Sequence, residues 1–184
     1  MSLSNDDTRV GVTPRRRIWL TVIVVTVIAA DQAAKQFVLQ TLQPGKFVSL
    51  FGEHVGWQLL FNPGGAFGLR APHWLFLLAA AIVSILVWRV LSQNPPGLAF
   101  LGFGFLLAGA YANIIDRLFR ARDGFGSGEV VDFIAWGSFP RFNVADAAIT
   151  VGVAFVLLSL VFVGSHDTGI TTTSNGEPDS DGGM

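Results

Sequence analysis

The stretch LAFLGFGFLLAGAYANIIDRL, residues 98–118, is an apolar run whose charged residues are gathered near its end. A helix needs about 20 predominantly apolar residues to cross the hydrocarbon core of a bilayer. Since the backbone of a spanning segment must satisfy its own hydrogen bonds, this run predicts a transmembrane helix. Three similar runs flank it along the chain, at residues 18–39, 73–91 and 144–163.

The composition also indicates a membrane protein. The chain of 184 residues is 51% hydrophobic and 14% charged, and its mean hydropathy is +0.54, whereas a soluble domain carries about 25% charged residues. No basic stripe indicates a nucleic-acid partner. The sequence has no cysteine and only three scattered histidines, so we expect no disulfide, no metal site and no cofactor.

The polarity of the chain divides it into three parts. Residues 1–17 are polar and basic, residues 18–163 hold the four apolar runs, and residues 164–184 form a polar tail whose composition predicts disorder. The first run has an alternative interpretation as a cleavable signal peptide, because arginines precede a short apolar segment. Three further runs follow in either case, so the protein is polytopic.

The orientation in the membrane rests on the first helix. The arginines of the N-terminal segment favour the cytoplasm for that end, and four spans return the C-terminus to the same side. The remaining charges oppose this orientation, because seven of the twelve basic residues would then lie outside or at the outer interface. The first helix usually dominates, and we expect both termini in the cytoplasm.

The polar residues of the spans are predicted to lie in one layer. At 1.5 Å per residue, Asp31 lies about 20 Å and Lys35 about 25 Å along the first helix from Ile18. The third and fourth helices bring their polar residues to the same level near the outer face, and an Asn precedes the second helix there. Ionisable residues within spans are candidates for function. The remaining members of this layer are Asn62, Asn113, Asp116, Arg117, Asn143 and Asp146.

Several of these residues also have purely structural interpretations. Asp31 and Lys35 form an acid-then-base pair at i, i+4, which is favourable on any helix. Asp116 and Arg117 could form an interfacial ion pair. Asn62 precedes Pro63 and could cap the turn that NPGGAFG predicts.

Asp132 and Asp146 stand in the apolar stretch EVVDFIAWGSFPRFNVADAAI, residues 129–149. One interpretation makes Asp132 a loop carboxylate paired with Arg141 or Arg122, and Asp146 the third residue of a helix that Asn143 caps. The other makes them a dyad, in which two close carboxyls share one proton and activate water. Asp146, near a helix N-terminus, would then be the base.

Five blocks of the sequence occur in the order found in lipoprotein signal peptidases (signal peptidase II), and the chain resembles that family over residues 18–163. Gly65, Ala108 and Ala112 replace other small residues of the family pattern. The blocks are DQAAK (31–35), NPGGAF (62–67), AGAYANIIDR (108–117), VVDF (130–133) and FNVAD (142–146).

The resemblance implies an all-α integral membrane protein with four transmembrane helices. It adds a small extracytoplasmic element, with β structure as one option, between the first two. Residues 18–163 would be the peptidase domain of an aspartyl endopeptidase in the bacterial cytoplasmic membrane, with its active site near the outer face. Asp132 and Asp146 match the family's catalytic pair. The matching substrate-binding or supporting positions are Asn62, Asn113, Asp116, Arg117 and Asn143, together with Asp31 and Lys35.

The implied substrates are diacylglyceryl-modified prolipoproteins, cut before the lipidated cysteine. Membrane lipids and a globomycin-type inhibitor are the other implied partners. Two alternatives stay open on the residues alone: a proton- or ion-coupled carrier, whose carboxylates would be spread through the bilayer depth, and a non-catalytic scaffold, whose polar pairs would only hold helices together.

Overall fold

The computed structural model describes residues 12–64, 72–121 and 124–164. Within these ranges four helices are long and apolar enough to span a membrane. Their bounds differ from the predicted apolar runs by four residues or fewer, because lipid requires an unbroken apolar helix of this length. The helices are α1 (Pro14–Thr41), α2 (His73–Ser92), α3 (Gly97–Phe119) and α4 (Val144–Gly164).

Helix α1 begins before its apolar run. Pro14 occupies its first turn, where the missing N–H has no cost, and the hydroxyl of Thr13 accepts a hydrogen bond from the Arg16 N–H at 3.4 Å. The Arg16 guanidinium donates to Asn94 Oδ1 at 2.6 Å and to the Pro95 carbonyl at 2.7 Å. The predicted cytoplasmic segment therefore overlaps the helix, while residues 1–11 and the predicted tail from residue 165 lie outside the described residues.

Helix α3 is the centre of the bundle and packs against α1, α2 and α4. Small residues permit its close approach to α4. A Cβ added to Gly102 or to Gly152 would lie 2.7 Å from the carbonyl oxygen of the other, and Gly109 meets Ala145 in the same way. Gly104 faces α1 instead, with Leu20 and Ile23 as its neighbours.

A three-stranded antiparallel sheet of order β1-β2-β3 packs beside the helices. Its strands are β1 (Phe47–Phe51), β2 (Val55–Asn62) and β3 (Val130–Trp136). Leu59, Val131 and Phe133 of the sheet form a buried cluster with Val38 of α1. This cluster fixes the sheet on the end of α1 that carries Asp31 and Lys35.

The sheet corrects the all-α prediction. The β1–β2 hairpin occupies the predicted position between α1 and α2, but β3 follows α3, where a loop was predicted. The segment VVDFIAW has the β-branched and aromatic composition of a strand. It pairs with β2 about 70 residues earlier, with Leu60 opposite Asp132, and such a long-range pairing is not visible in local sequence.

Candidate active site

The two aspartates reach one cavity from different elements. Asp132 is the third residue of β3, and Asp146 lies in the first turn of α4. The cavity has a volume of about 730 Å³, and Asn62, Asn113 and Arg117 line it together with both aspartates. Most of the other lining residues are apolar and come from α2, α3, α4 and residues 139–142. The carboxylates are thus the acidic groups of an otherwise largely apolar pocket.

Asn143 links the two aspartates. Its Oδ1 accepts from the Asp146 N–H at 2.9 Å, and its own N–H donates to Asp146 Oδ2 at 3.2 Å, which is the reciprocal arrangement of a capping box. Its Nδ2 donates to Asp132 Oδ1 at 2.7 Å. The predicted cap is therefore present, and the same side chain also ties the start of α4 to β3.

The second oxygen of Asp132 is held by the end of β2. Asn62 Nδ2 donates to Asp132 Oδ2 at 2.9 Å, while Asn62 Oδ1 accepts from the Gly64 N–H at 3.0 Å. Asn62 thus caps a turn and contacts the dyad at once. The alternative pairing with Arg141 is not formed, because that side chain donates to Gln58 Oε1 at 2.8 Å, and Arg122 lies outside the described residues.

Burial dominates the ionisation of Asp132, whose side chain lies in the sheet outside the spans. Desolvation raises its pKa from 3.8 to about 6, and the nearby charge of Asp146 acts in the same direction. Hydrogen bonds from Asn62 and Asn143 and the charge of Lys35 oppose the rise. This carboxyl can therefore hold a proton close to neutral pH.

A buried charge cluster lies behind the dyad. Lys35 Nζ is 2.8 Å from both Asp31 Oδ2 and Asp116 Oδ2, and all three side chains are fully buried. The predicted i, i+4 pair is present, and it has a further partner on α3. Asp31 Oδ1 accepts from the Ala145 N–H at 2.9 Å, and Asp116 Oδ2 accepts from the Val131 N–H at 3.2 Å. The cluster therefore connects α1 and α3 to the residues that precede Asp146 and Asp132.

Arg117 and Asp116 point to different surroundings, so the ion pair between them that was considered from the sequence is not formed. Asp116 forms its ion pairs with Lys35 and with Arg120, the latter at 2.9 Å. The Arg117 guanidinium lines the cavity, lies 4.0 Å from the ring centroid of Phe76 and donates to the Gly64 carbonyl. Arg117 thereby holds the turn that fixes Asn62.

Sequence analysis did not identify two residues that contribute to the site, Gln32 and Arg120. Gln32 Nε2 donates to Asp116 Oδ1 and to the Ala112 carbonyl, both at 3.1 Å. Arg120 pairs with Asp116. The i, i+4 spacing from Asp116 to Arg120 would have predicted the second contact, whereas the contact of Gln32 depends on how α1 packs against α3.

Fold and site together define a multi-span membrane protein with a pair of carboxylates in a cavity among its helices. The family model described as Signal peptidase (SPase) II matches residues 23–162. The chain therefore belongs to the signal peptidase II family, a family of aspartic peptidases, and the resemblance drawn from the five sequence blocks is confirmed.

Similar proteins agree with this membership. The "Lipoprotein signal peptidase" of Rhodococcus jostii is 40% identical over 173 residues, which cover 90% of this chain and 86% of that protein. The one from Mycobacterium tuberculosis strain H37Rv is 38% identical over 84% of this chain and 77% of its own. A bacterial membrane enzyme solved by the in meso method superposes with a TM-score of 0.73 at 27% identity, covering 83% of this chain and 93% of that one.

Proposed function

We propose that this chain carries out the reaction of its family with Asp132 and Asp146 as the catalytic pair. The relatives named above are lipoprotein signal peptidases, and the chain is accordingly an endopeptidase that removes signal peptides from prolipoproteins. We take the cut to fall before the lipidated cysteine. One observation carries the proposal: both aspartates line one cavity, and N–H donors meet all four of their oxygens.

The pair would work with one shared proton and one water. Ionised Asp146 takes a proton from the water as the water oxygen bonds to the scissile carbonyl carbon. Protonated Asp132 gives its proton to the carbonyl oxygen, so the intermediate is a neutral diol. When the C–N bond breaks, Asp146 passes its proton to the leaving nitrogen and Asp132 recovers one from a hydroxyl. The pair ends with the single proton that it had at the start.

The surroundings of each carboxyl support this division of roles. Asp146 lies in the first turn of α4, where the helix dipole favours negative charge, and it accepts N–H donors on both oxygens, from Asn113 at 2.9 Å and Asn143 at 3.2 Å. Asp132 has its pKa raised to about 6 by burial and by Asp146, so it is the better holder of the proton.

The cavity suits an apolar, membrane-bound substrate. Side chains such as Phe76, Val83, Ile114 and Ile149 form its walls, and they would contact the signal peptide and the acyl chains of a diacylglyceryl-modified cysteine. A globomycin-type cyclic peptide would compete for the same volume. The exposed apolar faces of α2 and α4 would contact membrane lipids.

We also propose an orientation for the chain. Residues 1–17 and 164–184 would lie in the cytoplasm, residues 18–163 would form the peptidase unit, and the catalytic pair would lie near the outer face. The basic residues at the start of α1 support this orientation. Asp31 lies about 26 Å along the helix from Pro14. If α1 begins at the inner face, this distance brings Asp31 close to the outer face.

The test uses the full-length protein in liposomes with a prolipoprotein that carries, or lacks, the diacylglyceryl group. Mass spectrometry of the products should show a single cut directly before the modified cysteine, and the unmodified substrate should stay intact. Globomycin should inhibit the cut competitively. A cut at another bond, or equal cleavage of the unmodified substrate, would contradict the proposed specificity.

A further inference from the structure

Arg141 is a cation of the cavity that the proposed chemistry does not use. It lies in the segment between β3 and α4, and it lines the cavity with the other members of residues 139–142. The other cationic side chain of the lining, Arg117, holds the turn after Asn62 through the Gly64 carbonyl. The hydrogen bonds of Arg141 reach neither that turn nor the aspartates, so Arg141 does not itself hold the catalytic pair.

Neutral acceptors hold the Arg141 guanidinium in place. Its Nε donates to Gln58 Oε1 at 2.8 Å, and its Nη1 donates to the Phe139 carbonyl at 3.0 Å. The amide of Gln58 is itself oriented, because its Nε2 donates to the Gly45 carbonyl at 2.7 Å and a carbonyl can only accept. A long side chain loses rotamer freedom when it binds a ligand, and these contacts have already restricted Arg141.

The guanidinium still has donors and a charge to offer. An arginine has five N–H groups, and no residue that the structure describes accepts a hydrogen bond from the two on Nη2. No acidic side chain within the same residues forms an ion pair with Arg141 either. The side chain is half-buried, so water screens its charge less than at an open surface. A carboxylate is the ligand that matches such a group in both charge and geometry.

The position of Arg141 matches the part of the substrate that follows the cut. The cavity includes Val83 of α2 and Val151 of α4 in the spans, both aspartates, and residues 139–142 outside the spans. A signal peptide bound along the helices therefore leaves the mature chain to continue toward residues 139–142. Arg141 is two residues from Asn143, which contacts both aspartates, and two residues extend at most about 7 Å. The residues directly after the lipidated cysteine are thus within reach of Arg141.

We propose that Arg141 is a specificity-determining residue, whose guanidinium binds an acidic side chain in the first two residues after the lipidated cysteine of the substrate. The inference rests on the proposed function. An Asp at this place would accept a charge-assisted hydrogen bond from Nη2, which is stronger than the neutral bond that an Asn of the same shape would accept. The chain therefore favours prolipoproteins whose mature part begins with acidic residues.

The experiment compares two lipid-modified prolipoproteins that differ only in the two residues after the cysteine, which are Asp-Asp in one and Asn-Asn in the other. The full-length protein in phosphatidylcholine liposomes should cleave the Asp-Asp substrate with a KM about fivefold lower, the upper end for an ion pair between partly exposed groups, and with a similar kcat. The difference in KM should shrink as the salt concentration rises, because salt screens the ion pair.

Variants at position 141 assign this preference to one side chain. Arg141→Gln should cleave the two substrates with equal KM, and Arg141→Lys, which keeps the charge, should retain part of the preference. Lys46→Gln is the matched control, because Lys46 is an exposed cation next to β1 and does not line the cavity. It should show the wild-type preference. Each result is a ratio between two substrates of one variant, so a general loss of activity or stability cancels.

Equal KM values for the two substrates of the wild-type protein would overturn the inference, as would a full preference in R141Q. If R141Q does not fold, the wild-type ratio and its salt dependence decide. Effects of R141Q that are equal for both substrates and depend on added anionic phospholipid would assign Arg141 to lipid headgroups and overturn the inference too. Absence of any cut before the cysteine would remove the proposed function itself, whereas equal cleavage of both substrates would remove only the role of Arg141.

Discussion

The four oxygens of the paired carboxylates each accept one N–H, and this is the central feature at the scale of residues. Asn62 and Asn143 donate to Asp132, and Asn113 and the Asn143 backbone donate to Asp146. Donors favour the ionised form of a carboxyl, while burial and a like charge favour the protonated form. The balance leaves the pKa of Asp132 at about 6, a value at which the pair can hold one proton.

The first prediction concerns pH. The folded state binds the proton of Asp132 more tightly than the unfolded chain, whose pKa is near 3.8. The stability from this proton is therefore complete below about pH 3.8 and is lost as the pH rises through about 6. Above about pH 6 the pair loses its shared proton, so kcat/KM should fall by about tenfold per pH unit. A pH profile that stays flat to pH 8 would contradict this assignment.

Asn62 provides a second prediction at the same scale. Its N–H stabilises the ionised form of Asp132, so Asn62→Ala should raise the pKa of Asp132 further and move the alkaline limb of kcat/KM to higher pH. Gln58→Ala is the matched control, because Gln58 lies on the same strand and bonds to Arg141 and the Gly45 carbonyl instead. If the alkaline limb of kcat/KM lies at the same pH in both variants, the Asn62 contact has no electrostatic effect on Asp132.

At the scale of elements, the contact between α3 and α4 fixes the catalytic turn. Ala145 precedes Asp146, its N–H bonds to Asp31, and its carbonyl faces Gly109 on α3. A Cβ at position 109 would meet that carbonyl and lie 2.7 Å from Ile149 Cγ1, so the start of α4 would have to move away. The absence of a side chain at Gly109 is thus a requirement of the site as well as of the packing.

Gly109→Ala should consequently lower the free energy of unfolding by about 1–3 kcal/mol and reduce kcat. Gly104→Ala is the control in the same helix, since its Cβ would lie at an ordinary 3.4 Å from side-chain atoms of Leu20 and Ile23. Thermal unfolding and cleavage assays on the two variants check this. A Gly109→Ala enzyme as stable and active as Gly104→Ala would contradict the packing argument.

At the scale of elements, only part of the fold and of the site could be predicted from the sequence. The four helices follow from local composition, because lipid tolerates little else, and the capping role of Asn143 follows from local spacing. β3 was missed because its partner strand is distant in sequence. For the same reason, Lys35 was predicted to pair with Asp31 on its own helix, whereas its contacts with Asp116 and Asn113 on α3 could not be foreseen.

At the scale of the molecule, the proposed orientation leads to a labelling prediction. The chain has no cysteine, so any single introduced cysteine is a unique label. Ser138→Cys, in the exposed turn after β3, should react with a membrane-impermeant maleimide added to spheroplasts. Ser174→Cys, in the segment proposed to be cytoplasmic, should react only after the membrane is permeabilised. The opposite pattern would invert the orientation and move the catalytic pair to the inner face.

The most direct test of the account is cleavage by purified, reconstituted Asp132→Asn and Asp146→Asn enzymes. Each should lose roughly 10²- to 10⁴-fold in cleavage of a lipid-modified prolipoprotein while still folding in the membrane, and the double variant should be little worse than either single one, because the two carboxyls act as a unit. Glu53→Gln, the same change at an exposed acid in the β1–β2 turn, should cleave at the wild-type rate. Cleavage near the wild-type rate by either folded aspartate variant would contradict the catalytic pair.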